Sequence, residues 1–356
     1  MKWKQLVAVL ILTAGFGFAA GAAAHPPLPA GCSPATRPGC AYTPALTFAA
    51  TAVFDTVLSD PARNGYLLPV RVRYPVGAVG PLPVVIYNHG GSSSNAAGFQ
   101  ANTQPWPTLW AEHGYVVINP TRRAPASVTA GQIAECALNN VPPALCADFF
   151  AWMIYGPANT DFVIDRFAQL AALHPPLSGL MNSEKVVVAG WSGGSTIALA
   201  NSGAPRQFTA GGPIYDQKTD RPIGFFGIAT MGPDYAGYGG GFDSLSFDSI
   251  DERPFITFTG KGDTNGKPSE PRTTAWLRST PGDKYLSYGT PLATSHGAVN
   301  LSGCNSAVQI QLCDWMKSAG LAYLDALTRN RAVAKAWLRS DAYETLTGGT
   351  IELHRR

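Results

Sequence analysis

The stretch Lys185 to Ala200, "KVVVAGWSGGSTIALA", decides the fold. An apolar run of strand character breaks at Gly190-Trp191-Ser192-Gly193-Gly194 and then turns alanine-rich, as a helix would. A serine between a buried strand and a helix, with glycines two before and two after it, fits the G-x-S-x-G nucleophile elbow. That turn crowds both flanking positions, so only small residues fit there. It lifts the serine hydroxyl above the sheet, near N–H groups at a helix start that favour developing negative charge. Gly193, directly after the serine, can offer its backbone N–H. A helix start that merely needs glycines would read the same way.

The rest of the chain supplies a setting for such an elbow. Strand-like runs lie at Leu67 to Pro75 (an edge strand), Leu82 to Gly91, Tyr115 to Arg122, Ile223 to Thr230, Pro254 to Gly260 and Lys284 to Gly289. Helical segments are expected near Pro105 to His113, at Asn159 to Leu173 with Thr160 or Asp161 at its cap, after the elbow, and at Val308 to Asn330. Strands alternating with helices predict an α/β fold, a mostly parallel central sheet with helices on both faces. The glycine-rich "YAGYGGGFD" at Tyr235 to Asp243 reads as a surface loop, because a phosphate cradle would need a strand before it and a helix with Lys behind it.

A weak serine nucleophile needs a base, and the chain has six histidines. His25, His89, His113 and His174 precede the serine, and His354 lies in the tail "ELHRR". His296, in the loop "ATSHGAVN" after a strand, is the candidate base. The candidate acid is Asp263, in a polar turn directly after "PFITFTG", from where a carboxylate can hold the imidazole tautomer. Asp243, Asp248 and Asp251 precede that strand. "NHGGSSS" at the end of an early strand offers a second oxyanion donor, the N–H of Gly91 with Ser92 as fallback, and leaves His89 a structural role.

On these residues the chain resembles the α/β-hydrolase superfamily. It is similar to the branch of dienelactone-hydrolase-like proteins, platelet-activating-factor acetylhydrolases and cutinase-like polyester hydrolases, from about Leu67 to Asn330. The resemblance implies a catalytic triad of Ser192, Asp263 and His296 and an oxyanion hole of Gly193 and Gly91, with no cofactor or metal. Serine in place of the cysteine of true dienelactone hydrolases points to carboxylic esters, small or polymeric. Trp191 matches a tryptophan that forms part of an aromatic acyl subsite in bacterial polyester hydrolases, so it is a candidate substrate contact; packing under the elbow is its other reading. The chain departs from that group in the long, cysteine-bearing segment between Thr121 and Lys185. A non-catalytic surface-binding protein of the same fold and a serine peptidase are the alternatives.

Composition bounds the rest. The chain has 356 residues, 46% hydrophobic and 14% charged, with a formal charge of +3 that includes Lys2 and Lys4. That excludes a basic nucleic-acid surface and suits one large domain. Lys2 and Lys4, the apolar run to Ala20 and the alanines at 22 to 24 predict an export signal over residues 1–24, an extended Pro-rich arm over 25–45 and a catalytic domain over 46–356, with no membrane span in the mature protein. Export implies a secreted or periplasmic protein. The six cysteines fall in three close pairs, Cys32 with Cys40, Cys136 with Cys146 and Cys304 with Cys313; export and the ease of closing short loops favour local disulfides, with spacing not choosing among about 15 connectivities and metal binding the rival reading.

Overall fold

The computed structural model describes residues 28–91 and 99–356; the expected export signal, His25 and Ser92 lie outside the described residues. Eleven strands form: β1 Thr51–Asp60, β2 Tyr66–Pro75, β3 Leu82–Asn88, β4 Val116–Pro120, β5 Met181–Trp191, β6 Arg206–Gln207, β7 Ile214–Tyr215, β8 Gly224–Ile228, β9 Phe255–Gly260, β10 Lys284–Gly289 and β11 Ile351–Arg355. Nine of them make one sheet in the order β1-β2-β4-β3-β5-β8-β9-β10-β11, and β6 pairs with β7 alone. From β4 to β10 every neighbouring pair is parallel, while β1, β2 and β11 add antiparallel margins.

Every residue of β3, β4, β8 and β9 is buried. A strand covered on both faces needs apolar side chains on both, which is why these segments read as continuous runs and not as alternation. Val85, Tyr87, Val187, Phe226 and Phe258 pack with Trp106, Trp110 and the long helix Ala307–Thr328 on one face. Val84, Ile86, Val116 and Val186 pack with Phe162, Val163 and Leu170 on the other. The expected two-sided α/β layering is thus present.

Three expectations need correction. β2 is not an edge strand, because β1 covers it along its whole length. The single helix expected at Asn159 to Leu173 is two, Tyr155–Ile164 and Phe167–Leu173. The break falls at Asp165 and Arg166, where Arg166 leaves helical backbone (φ −102°, ψ 6°), and Phe162, Val163 and Ile164 of the first helix enter one core cluster with Phe167 and Leu170 of the second. Thr160 is therefore no cap; it is buried mid-helix and donates to Asn201 at 2.6 Å. The arm is also more than extended chain: Pro34–Cys40 forms a 3₁₀ turn closed by the Cys32–Cys40 disulfide. Tyr42 Oη and the Ala45 N–H then donate to buried Asp325 at 2.7 and 2.8 Å.

The cysteines pair locally as expected, Cys32–Cys40, Cys136–Cys146 and Cys304–Cys313. Among the described residues no helix is long and apolar enough to cross a membrane. The sheet order matters most for function. β3 lies between β4 and β5, so the chain leaves β3 in one direction and later returns to its other side. In such a sheet the crevice beyond the carboxyl ends of the strands at the reversal is where ligands bind.

Candidate active site

Asn88, the last residue of β3, is in register with Gly190 of β5, so "HGG" and "GWSGG" emerge side by side at that crevice. Ser192 has φ of +51°, the left-handed region that a residue with a Cβ enters only at a cost of about 1–2 kcal/mol. The two outer glycines make the turn possible. A Cβ on Gly190 would stand 2.3 Å from the Gly194 carbonyl oxygen, and one on Gly194 would stand 2.1 Å from that of Asn88. The elbow is braced from below, where Ser195 Oγ donates to Ser192 O at 2.6 Å and accepts from the Met231 N–H at 2.9 Å.

Asp263 and His296 meet at the same edge of the sheet. Asp263 follows β9, is wholly buried, and its Oδ1 accepts from His296 Nδ1 at 2.6 Å. Its Oδ2 accepts from Thr259 Oγ1 at 2.8 Å. Buried Arg272 lies 3.3 Å from Oδ1 through Nε and donates to the Asp263 carbonyl at 2.8 Å, so the carboxylate charge is paired as well as hydrogen-bonded. Sequence reading did not single out Thr259 or Arg272. Their signal was faint: a threonine inside a buried strand and an arginine nine residues past the acid.

His296 opens a short helix, His296–Val299, capped by Ser295. Its ring lies against Trp191, with centroids 5.4 Å apart and planes 35° apart. The same indole fills the space a Cβ on Gly90 would need, 2.6 Å away. Trp191 thus bridges the base and the "HGG" loop. No hydrogen bond joins Ser192 to His296 among the described residues; the hydrogen bond that His296 makes is to Asp263.

A cavity of about 550 Å³ opens over the elbow, bordered by Ser192, Gly193 and Gly91. Its lining includes the apolar Val141, Phe149, Trp152 and Met153 together with Tyr238, Asn265 and Lys267. Trp152, which stands 2.9 Å from where a Cβ on Gly193 would be, lines this cavity with Ser192, while Trp191 is not among its lining residues. Trp152 belongs to the segment between Thr121 and Lys185, just past the Cys136–Cys146 disulfide. Only the aromatic cluster "DFFAW" hinted at it. The Tyr235 to Asp243 stretch, expected at the surface, brings Tyr238 into the wall, 3% exposed and stacked on Arg272 at 5.0 Å.

No family model matches the chain, and no curated protein matches it. Among solved structures it is similar to a proposed dienelactone hydrolase from Klebsiella pneumoniae subsp. pneumoniae, with a TM-score of 0.46 and 15% identity over 77% of this chain and 98% of that one. The strand order carries the assignment. The chain has an α/β fold, a mostly parallel nine-strand sheet with helices on both faces.

The other histidines lie elsewhere. His113 bonds Leu46 O at 2.9 Å, His174 is stacked on Phe54, and His354 pairs with Glu352 on β11. His89 is wholly buried, and burial together with the neighbouring Arg122 charge lowers its pKa to about 3. It is a neutral imidazole across the working range.

Proposed function

We propose that the protein is a serine carboxylic ester hydrolase. The observation that carries this reading is the convergence of a strained Ser192 and a carboxylate-held His296 on one sheet edge, beside a cavity that Gly91 and Gly193 border. Ser192 Oγ attacks the ester carbonyl carbon as His296 Nε2 takes the hydroxyl proton. The carbonyl electron pair moves to oxygen, and the resulting anion accepts from the N–H groups of Gly193 and Gly91. Collapse breaks the bond to the alcohol, which leaves with the proton from His296. Water repeats the sequence on the acyl-enzyme, releasing the carboxylic acid and restoring Ser192. Asp263 keeps the Nδ1 proton in place and stabilises the imidazolium throughout.

The substrate's apolar part lies against Trp152, Phe149, Val141 and Met153, a wall suited to aryl or medium-length acyl groups. Trp191 acts one step back, by buttressing His296. Three disulfides support folding in an oxidising compartment, as a secreted or periplasmic enzyme would need. Hydrolysis of a panel of short-chain, long-chain and aromatic p-nitrophenyl esters by the parent and Ser192→Ala tests the proposal. Turnover confined to the parent supports it; equal turnover sinks it.

A further inference from the structure

Arg122 is an arginine in an unusual place. It lies two residues past the end of β4, is 1% exposed, and makes no ion pair among the described residues. Burial pulls its pKa down to about 9, which leaves the guanidinium a cation at neutral pH. A buried cation without a carboxylate is costly, and the other fully buried arginine at this site, Arg272, has Asp263. Arg122 instead lies flat on Trp152, its guanidinium carbon 3.3 Å from a ring centroid. Its Nη2 donates to the carbonyls of His89 and, at 3.4 Å, Gly91, while Nε and Nη1 have no partner among the described residues.

These contacts surround one peptide. His89 Nδ1 lies 2.8 Å from the Gly90 carbonyl oxygen, which accepts, and 3.2 Å from Arg122 Nη2, which donates. The restraint from Arg122 falls on the backbone: one guanidinium nitrogen reaches the carbonyls at both ends of the His89–Gly91 turn. The Gly90–Gly91 peptide is trans, so its N–H points opposite to its C=O, which faces the buried imidazole. That N–H belongs to Gly91, which borders the cavity. On the cavity side, a Cβ on Gly193 would stand 2.9 Å from Trp152 and 3.2 Å from Gly91 O, so both oxyanion glycines rest on groups that Arg122 touches.

We infer that Arg122 is a positioning residue for oxyanion stabilisation: by holding the carbonyls of His89 and Gly91 it fixes the backbone of the HGG turn and, through it, the direction of the Gly91 N–H. The inference rests on the esterase reading above. Because the oxyanion exists only after attack, a misdirected donor weakens the transition state without weakening ground-state binding. Outright loss of one oxyanion donor costs about 10²–10³ in kcat. Misdirection through Arg122 is expected to cost roughly 10- to 100-fold, with KM within about threefold of the parent.

The test measures kcat and KM on a p-nitrophenyl ester for the parent, Arg122→Lys and Arg122→Gln, each with parental near-UV circular dichroism, together with affinity for an alkyl trifluoromethyl ketone, which forms a tetrahedral oxyanion on the serine. Parallel losses in kcat and ketone affinity at steady KM, smaller in Arg122→Lys, support the inference. Parental kcat and ketone affinity in a folded Arg122→Gln overturn it. The Gly91 amide proton of the parent decides independently of whether the variants fold: a downfield shift on ketone binding supports the inference and an unchanged shift overturns it. Ser192→Ala run alongside separates the two layers. If the parent shows no Ser192-dependent turnover, the esterase reading fails; if it does and Arg122→Gln matches the parent, this inference fails alone.

Discussion

Asp263 holds His296 by a 2.6 Å hydrogen bond to Nδ1 while its other oxygen is held by Thr259, so the imidazole is presented by a carboxylate with no freedom to turn. Asp263→Asn keeps the shape and offers Nδ1 an amide that can donate, which favours the wrong tautomer. A fall in kcat of about 10⁴ is expected by analogy with other serine triads, with little change in unfolding midpoint. Thr259→Val should cost far less, roughly 3- to 10-fold, because Arg272 still pairs the carboxylate. Steady-state kinetics on one activated ester check both, and equal effects would contradict this division of roles.

Trp152 and Trp191 make opposite predictions. Trp152→Ala removes the indole from the cavity wall and should raise KM for aryl esters by about 10-fold, and for acetyl esters far less. Trp191→Ala removes the ring against His296 and should lower kcat for all esters alike. An ester panel that showed selectivity changes only in Trp191→Ala would reverse the assignment of the aromatic wall.

His89 gives a pH signature in stability. Its pKa is about 3 in the fold, against an ordinary value near 6.5, chiefly through burial and then through Arg122. Between about pH 6.5 and 3 the unfolded chain binds the extra proton, so stability falls as pH falls through that window and is fully present above it. The contribution amounts to about 5 kcal/mol at the acid end. Urea unfolding across that range should be steeper in pH for the parent than for His89→Gln. Parallel curves would show that His89 is not held neutral.

Asp325 ties the N-terminal arm to the body. It accepts from Tyr42, the Ala45 N–H and Tyr115, and pairs with Arg329. Asp325→Ala leaves these donors buried and a cation unpaired, so a loss of about 3–5 kcal/mol is expected by urea denaturation. Residual activity at low temperature should persist, since the site lies at the other strands' carboxyl ends. A loss below about 1 kcal/mol would contradict the role.

The sequence exposed those parts of the fold whose physics is local. β3, β8, β9 and the Val186–Gly190 part of β5 are buried on both faces and announce themselves as apolar runs, and the elbow needs glycine at two fixed offsets. β1 escaped notice because its outward residues are polar or exposed, which leaves only a weak alternation. Thr259, Arg272, Trp152 and Arg122 escaped for a different reason. Each matters through one partner, near in sequence for Thr259 and Arg272 against Asp263 and distant for Arg122 against Trp152, and no periodicity records such a meeting. Trp191 sat in plain view beside the serine, yet a residue ending a strand can face either side of the loop, and only packing against His296 fixed which.

The central claim is that Ser192 is a nucleophile activated by His296. The most direct measurement is labelling of the purified protein with a fluorophosphonate, followed by peptide mass spectrometry. The account predicts stoichiometric modification on the peptide containing Ser192, abolished in Ser192→Ala and strongly slowed in His296→Ala. Absence of labelling in folded protein, or labelling that persists in Ser192→Ala, would contradict it.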